Sequence, residues 1–192
     1  MKKLAYALLL LPAMSMSQAW AEDRPVQVEE KTVLNYSTGG YATVEIQKPV
    51  AHVFKSLTNV NIWPDINKGV TLRIQPENVK VQQGIKFKET IASPIPGIKN
   101  WTNEWHVLEY IPNKKFVIAG WETYAQVPIH SKISYEFAEK SQNTTEFKRT
   151  IEVTLDKKFI EGASKQEVEA LYRFVGSQWE MAQHLKNYIE TH

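Results

Sequence analysis

Residues 164–190, SKQEVEALYRFVGSQWEMAQHLKNYIE, have the pattern of one long amphipathic helix. Ser164 can cap this helix, and Glu167 completes a Ser-x-x-Glu capping box. The helix is roughly 40 Å long, and Gly176 near its middle indicates either a close contact with a sheet or a kink beside a cavity. Side chains spaced three and four residues apart form an apolar face interrupted by one glutamine: Leu171, Val175, Gln178, Ala182, Leu185 and Ile189.

The segments before this helix alternate between apolar and polar side chains, as half-buried β-strands do. In the first, residues 41–47, Ala42, Val44 and Ile46 are the apolar set. Pro49 then opens a short helix, and residues 61–66 form a second short turn or helix. Strands in series joined by short turns predict an antiparallel sheet, covered on its buried face by the amphipathic helix. The predicted class is α+β with about seven strands, the other six at residues 70–75, 86–91, 101–111, 116–123, 129–138 and 145–155.

The first 21 residues have the three parts of a cleavable signal peptide. Lys2 and Lys3 form a basic start, residues 4–14 are mostly apolar, and Ala19 and Ala21 supply the small side chains before the cut. A membrane anchor is the alternative, but the apolar run is shorter than the roughly 20 residues that a span needs. We expect cleavage after Ala21. The paired lysines and the Ala-x-Ala site look bacterial, which predicts a periplasmic destination.

The rest of the chain is predicted to be one domain at residues 41–192, after a lead-in at residues 22–40 in which residues 26–34 could add a strand. Loss of the two signal-peptide lysines leaves 21 basic against 21 acidic residues, and a neutral domain has no general attraction for nucleic acid. No later segment is apolar enough to span a bilayer. The chain has no cysteine, which excludes disulfides, thiol catalysis and cysteine-bound zinc or iron–sulfur centres.

Several short sequence motifs occur in a fixed order along the chain. The strand and helix VEIQKPVAHVF of residues 44–54 are followed by LTN at 57–59, IWP at 62–64, HVLEYIP at 106–112, ISYEF at 133–137 and TTEF at 144–147. In order and spacing, these segments resemble the START-like superfamily, also called SRPBCC or helix-grip proteins, over residues 41–190. The sequence departs from the family at Asn143 and Thr144, where a glycine usually precedes the last strand.

The resemblance implies a curved sheet that grips the C-terminal helix and leaves a cavity between the two. The superfamily includes polyketide cyclases, lipid-transfer domains and relatives of plant pollen allergens. Its ligands are typically apolar: lipids, sterols, polyketides and aromatic hormones. Because one fold hosts many functions, the resemblance predicts the fold more narrowly than the function.

Strand alternation also predicts which side chains face inward, and two charged ones, Glu89 and Arg149, fall among apolar neighbours. A buried, unpaired charge costs several kcal/mol. Either these groups orient a ligand, with Arg149 holding a carboxylate or phosphate, or they pair with each other, or Arg149 reaches solvent at a strand end. The predicted inward set is Phe87, Glu89, Ile91, Trp101, Asn103, Trp105, Val107, Ile133, Tyr135, Phe137, Phe147, Arg149, Ile151 and Val153.

Aromatic residues offer walls for such a cavity. Trp101, Trp105 and Trp121 supply large apolar area with one donor each, and they either contact a ligand or pack in the core. Gln178 either points into the cavity or bonds a strand edge. The apolar loop at residues 93–100 is a candidate lid or entrance, unless it merely packs on the domain. The predicted ligand-binding set is Phe87, Glu89, Trp101, Trp105, Trp121, Tyr135, Phe147, Arg149 and Gln178.

The leading functional hypothesis is an exported binding or carrier protein for a small apolar or amphipathic molecule, with lipids among the candidates. The first alternative is a cofactor-free cyclase- or dehydratase-like enzyme using Glu89 and Tyr135 as acid and base. The chain lacks the nucleophile-elbow, His-Glu-x-x-His and phosphate-loop motifs of other enzyme classes. The second alternative is a protein-interaction module with a filled core. No metal, cofactor or nucleic-acid partner is predicted, and no pattern indicates an oligomeric state.

Overall fold

The computed structural model describes residues 27–32, 35–92, 100–124, 127–163 and 165–192. Their strands are β1 (Gln27–Thr32), β2 (Asn35–Ile46), β3 (Thr71–Gln75), β4 (Lys86–Ile91), β5 (Trp101–Ile111), β6 (Lys115–Tyr124), β7 (Val127–Ser141) and β8 (Thr144–Asp156). In the described part of the chain they form one antiparallel sheet of eight strands, in the order β1-β2-β8-β7-β6-β5-β4-β3.

The helices lie after β2 and after β8. They are α1 (Val50–Thr58), α2 (Trp63–Ile66), α3 (Lys157–Glu161), α4 (Lys165–Gly176) and α5 (Gln178–Thr191), with a short 3-10 turn at Val60–Ile62. Helix α5 packs on β2 and β8. The α+β class, the antiparallel sheet and the two short helices before β3 are confirmed. None of the described helices is both long and apolar enough to cross a membrane.

The N-terminal strands extend the sheet beyond the predicted seven. Strand β1 lies within the stretch that could add a strand, and β2 begins at Asn35 rather than at Tyr41. Residues 35–40 therefore belong to the sheet and not to a lead-in. A Cβ on Gly39 would come within 2.8 Å of the Ile151 carbonyl oxygen of β8. The close approach of the two backbones explains a glycine inside this strand.

The C-terminal helix is interrupted rather than continuous, which corrects the prediction of one long helix. Helix α4 ends at Gly176, Ser177 has φ −73° and ψ 12°, and α5 begins at Gln178. Outside the helix backbone and the chain neighbours of Gly176, no atom of the described residues lies within 4 Å of the place where a Gly176 Cβ would stand, so the glycine makes no close contact with the described part of the sheet. Ser177 lines the space between α5 and the sheet, which confirms the kink beside a cavity. Ser164 lies outside the described residues.

Gly176→Ala is expected to stabilise the protein by about 0.5–1 kcal/mol, because alanine loses less backbone entropy than glycine in a helix. The new methyl group would meet no atom within 4 Å. Gly84→Ala is the matched control: its surroundings are equally open, but its φ of 85° disfavours alanine. Urea unfolding followed by circular dichroism measures both variants. A loss of stability in Gly176→Ala would instead show that the interruption requires glycine at this position.

Burial follows the predicted alternation along β4, β5, β7 and β8. Strand β3 departs from it. The alternation of Val70, Leu72 and Ile74 predicts that Leu72 faces inward, yet Leu72 is 46% exposed and Thr71 is buried. The register of β3 against β4 shifts between Thr71 and Arg73. This β-bulge turns Thr71 inward and Leu72 outward.

Aromatic rings fill one part of the space between sheet and helices. The Phe54 ring of α1 meets the Phe137 ring edge-on at a centroid distance of 5.2 Å. The Tyr135 ring stacks between Phe116, at 5.6 Å, and Phe147, at 5.9 Å. Tyr135 therefore marks the boundary between this filled part of the core and the open part beside it.

Candidate functional site

A cavity of about 160 Å³ lies between the inner face of the sheet and helices α2 and α5. Its apolar walls come from both layers, and they include Leu57, Ile66, Ile133, Ile151, Met181 and Leu185. Polar lining groups converge from six elements, the strands β3, β4, β5, β7 and β8 and the helix α5: Thr71, Glu89, Asn103, Tyr135, Arg149 and Gln178. An engineered apolar cavity of similar volume holds one benzene molecule.

The Glu89 carboxyl group is held by two hydrogen bonds. The Thr71 hydroxyl donates to one oxygen at 2.6 Å, and the Trp105 indole Nε1 donates to the other at 2.8 Å. Asn67 Nδ2 lies 3.4 Å from the Thr71 oxygen. The β-bulge of β3 and the pairing of β4 with β5 bring these groups together. Glu89 is thus a fixed, buried carboxyl group at the cavity wall.

Burial raises the pKa of Glu89 above its ordinary value of 4.5, because the charged form loses its hydration. The hydrogen bonds from Thr71 and Trp105 and the positive charge of Arg149 oppose this shift. The protonated form also fits the site. Its O–H can donate to the Thr71 oxygen while the other carboxyl oxygen still accepts from Trp105.

The stability of the protein is expected to depend on pH through Glu89. The folded pKa lies above the unfolded one, so the folded state binds the proton more tightly. The resulting stabilisation is fully present below pH 4.5 and is lost as the pH rises through the folded pKa. In Glu89→Gln, the amide mimics the protonated carboxyl group. Between pH 4.5 and pH 8, the free energy of unfolding of this variant should therefore rise relative to that of the native protein.

The gain amounts to about 1.4 kcal/mol for each unit of difference between the folded and unfolded pKa. Urea titrations at several pH values measure it. Glu104→Gln makes the same chemical change on the exposed face of β5 and is the matched control. Parallel stability curves for Glu89→Gln and the native protein would contradict the raised pKa.

Arg149 and Tyr135 are cross-strand partners on β8 and β7. The guanidinium carbon lies 5.8 Å from the centroid of the Tyr135 ring. Burial raises the pKa of Tyr135, while the charge of Arg149 and a hydrogen bond from it lower that pKa. Arg149 is only 7% exposed, and its Nε has no hydrogen-bond partner. The guanidinium keeps its charge inside a protein, so a cation is buried at the cavity wall.

The structure argues against two of the predicted alternatives for Arg149, namely that it reaches solvent at a strand end and that it pairs with Glu89. Because its side chain is buried, it does not reach solvent at a strand end. Glu89 acts on it through long-range Coulomb attraction, and no described acidic side chain forms an ion pair with it. The structure therefore brings Glu89 and Arg149 to one cavity without joining them.

The cavity also contains polar side chains other than those of Glu89, Tyr135 and Arg149. Asn103 is 1% exposed and its Oδ1 has no hydrogen-bond partner. Its inward position follows from the alternation along β5, but an uncharged amide among tryptophans carries no signal of a site. Thr71 could not be found from the sequence, because the β-bulge reverses the face it would otherwise have. Gln178 of α5 faces the cavity, as one of its two interpretations predicted.

Four members of the predicted ligand-binding set lie elsewhere or are not placed. Phe87 is buried against Trp63, with ring centroids 5.6 Å apart, and Phe147 is buried in the aromatic stack; neither lines the cavity. The Trp101 side chain and loop residues 93–99 lie outside the described residues. The other five, Glu89, Trp105, Tyr135, Arg149 and Gln178, all line the cavity.

Trp121 lies away from the cavity, contrary to its place in the predicted ligand-binding set. It is 64% exposed on the outer face of β6, where its ring lies against His130 at a centroid distance of 5.0 Å. Its neighbour Gly120 pairs with Trp105 and is buried. Because successive residues of a strand face opposite sides, Trp121 must point outward. Within the described chain, no three His, Asp or Glu side chains come together as a metal site.

Comparison with known proteins relates the fold to solved structures. No family model matches the sequence, and no curated protein does. Norcoclaurine synthase from Thalictrum flavum matches with a TM-score of 0.55 and 10% identity, over 84% of this chain and 99% of that one. A second structure of that protein is a complex with dopamine and hydroxybenzaldehyde.

Two other solved structures are similar in fold to this chain. An aromatase/cyclase from Streptomyces has a TM-score of 0.57 and 16% identity, over 80% of this chain and 94% of that one. A protein of unknown function from Staphylococcus aureus has a TM-score of 0.62 and 12% identity, over 83% and 98%. At such identities a likeness shows the fold alone. The chain has the same fold as these structures, the helix-grip fold that its sequence motifs predicted.

Proposed function

We propose that the chain is an exported binding protein that holds a small amphipathic molecule in the cavity between the sheet and α5. One observation carries the proposal: buried polar groups without partners, Arg149 Nε and Asn103 Oδ1, line a cavity whose other walls are apolar. In a filled structural core such groups would be costly. Apolar walls with a few oriented polar groups are typical of small-molecule sites.

The volume favours a molecule of about one aromatic ring over a lipid chain. The cavity has about 160 Å³, close to the volume that accommodates benzene. The complex of norcoclaurine synthase with dopamine and hydroxybenzaldehyde supports this size, because each of those molecules has one ring. The cavity argues against the interaction-module hypothesis, which requires a filled core.

Native mass spectrometry of the gently purified mature protein, followed by organic extraction, tests the proposal. We expect a co-purifying small molecule, or a thermal shift with at least some compounds of a one-ring panel. Leu185→Phe enlarges a side chain that lines the cavity and should reduce binding, whereas Leu108→Phe makes the same change on the exposed face of β5 and should not. A ligand-free native mass that stays unchanged with one-ring compounds and lipids would refute the proposal.

Export is the second part of the proposal, and the signal-peptide pattern of residues 1–21 supports it. Expression of the full chain in a Gram-negative bacterium followed by cell fractionation tests it. We expect the protein in the periplasmic fraction, with an intact mass that corresponds to a chain beginning at Glu22. A full-length cytoplasmic product would contradict export without affecting the binding proposal.

Catalysis in the same cavity is the second candidate function. Glu89, with its pKa raised by burial, and Tyr135 both line the cavity, and such groups can act as general acid and base. The likeness to an aromatase/cyclase supports this candidate. Once a ligand is known, turnover separates the two functions. A catalytic role predicts that Glu89→Gln still binds the ligand but no longer converts it, whereas a carrier never converts it.

A further inference from the structure

The Arg149 guanidinium is a positive charge in the cavity wall, and the described residues form no ion pair with it. It is 7% exposed, and its Nε has no hydrogen-bond partner. Tyr135 offers a ring face and a phenol oxygen, but neither carries a negative charge. A buried cation in this state needs a counter-charge from elsewhere.

Glu89 does not supply that counter-charge by direct contact. Its two carboxyl oxygens accept hydrogen bonds from Thr71 and Trp105, at 2.6 Å and 2.8 Å. The charge of Arg149 lowers the pKa of Glu89 less than either of these hydrogen bonds does. The carboxyl group is therefore fixed at the wall formed by β3, β4 and β5, while the guanidinium projects from β8.

Resting on the proposed function, we propose that the ligand is a small organic monoanion, a one-ring carboxylate, whose carboxylate group binds Arg149. The planar guanidinium can donate two parallel hydrogen bonds to a carboxylate. The ring would then lie among Ile133, Ile151 and Leu185, which line the same cavity. The carboxylate of such a ligand would pair with the guanidinium charge, and its ring would contact the apolar walls.

The charges of the site favour a carboxylate over a phosphate monoester. A phosphate carries a charge of about −1.5 to −2 at neutral pH, whereas Arg149 supplies one positive charge. Excess negative charge would face the Glu89 carboxyl group across a cavity of about 160 Å³. The same volume excludes a long fatty acid and leaves room for about one ring.

Calorimetric titration with benzoate, its neutral isostere benzamide and phenyl phosphate, at one pH and one salt concentration, tests the inference. We expect the native protein to bind benzoate about ten- to a hundredfold more tightly than benzamide, the range that charged hydrogen bonds provide. Arg149→Met should remove this preference, so that benzoate binds no more tightly than benzamide. Arg73→Met removes an exposed arginine of β3 and should bind like the native protein.

Each outcome is distinguishable from failure of the proposed function. Equal binding of benzoate and benzamide to the native protein, blocked by Leu185→Phe, overturns the anion inference and leaves the cavity function standing. Tighter binding of phenyl phosphate than of benzoate overturns the choice of a carboxylate. If Arg149→Met does not fold, Arg149→Gln and Arg149→Lys replace it, and a retained benzoate preference in Arg149→Gln overturns the inference. Absence of binding by every one-ring compound tells against the cavity function itself.

Discussion

Gly120→Ala is expected to destabilise the protein by about 3 kcal/mol. Gly120 is buried on β6, opposite Trp105 of β5. A Cβ at this position would come within 2.3 Å of the Glu104 carbonyl oxygen and within 3.0 Å of the Trp105 ring. The first contact is with backbone, which cannot rotate away, so β5 and β6 would have to move apart and weaken their hydrogen bonds.

Denaturant unfolding measures the effect. Gly162→Ala is the control, because its Cβ would lie 3.4 Å from the nearest oxygen, and its stability should change by less than about 0.5 kcal/mol. The double variant Gly120→Ala with Trp105→Leu separates the two contacts. We expect it to remain unstable, since the backbone contact persists. Recovery of stability in the double variant would identify the indole ring as the source of the strain instead.

The same glycine connects the fold to the candidate site. Trp105 occupies the space beside Gly120, and from there its Nε1 donates to Glu89. A side chain at residue 120 would displace the indole and so release one of the two hydrogen bonds that hold the carboxyl group. We therefore expect Gly120→Ala to weaken ligand binding even under conditions where the variant remains folded.

The members of the candidate site could largely be predicted from the sequence, because residues directly opposite each other on paired antiparallel strands face the same side of the sheet. If Phe87 faces inward, so do Glu89 and its cross-strand neighbours on β5. The same rule places Tyr135 and Arg149 on one face of β7 and β8. Charges at inward positions then mark a site, because a polar group in such a place needs a partner.

Strand alternation cannot predict the inward face of a strand whose apolar and polar residues do not alternate. Residues 116–120, FVIAG, are all buried, so no polar set indicates which side of β6 faces the cavity. The prediction that Trp121 contacts a ligand or packs in the core rests only on its large apolar ring. The β-bulge at Thr71 has no sequence signature of its own. The separation of Glu89 from Arg149 depends on the shape of the curved sheet, which the residue pattern of single strands does not contain.

Arg149→Met is expected to raise the free energy of unfolding of the ligand-free protein by about 1–3 kcal/mol, although it removes a residue from the core. The native side chain buries a charge with an unpartnered Nε, and replacing buried ionic groups by apolar ones of similar size is often stabilising. Methionine is similarly long and unbranched, and it adapts to irregular spaces. Most buried substitutions have the opposite sign.

Addition of benzoate should reverse this order of stability. A ligand present at one thousand times its dissociation constant stabilises the folded protein that binds it by about 4.1 kcal/mol. Native protein would gain this amount and Arg149→Met would gain little, so the two unfolding curves should exchange places as benzoate is added. Arg73→Met, an exposed substitution, should follow the native protein throughout. A strongly destabilised, ligand-free Arg149→Met would show that Tyr135 and the cavity wall already compensate the guanidinium, and that its charge serves the fold rather than an anion.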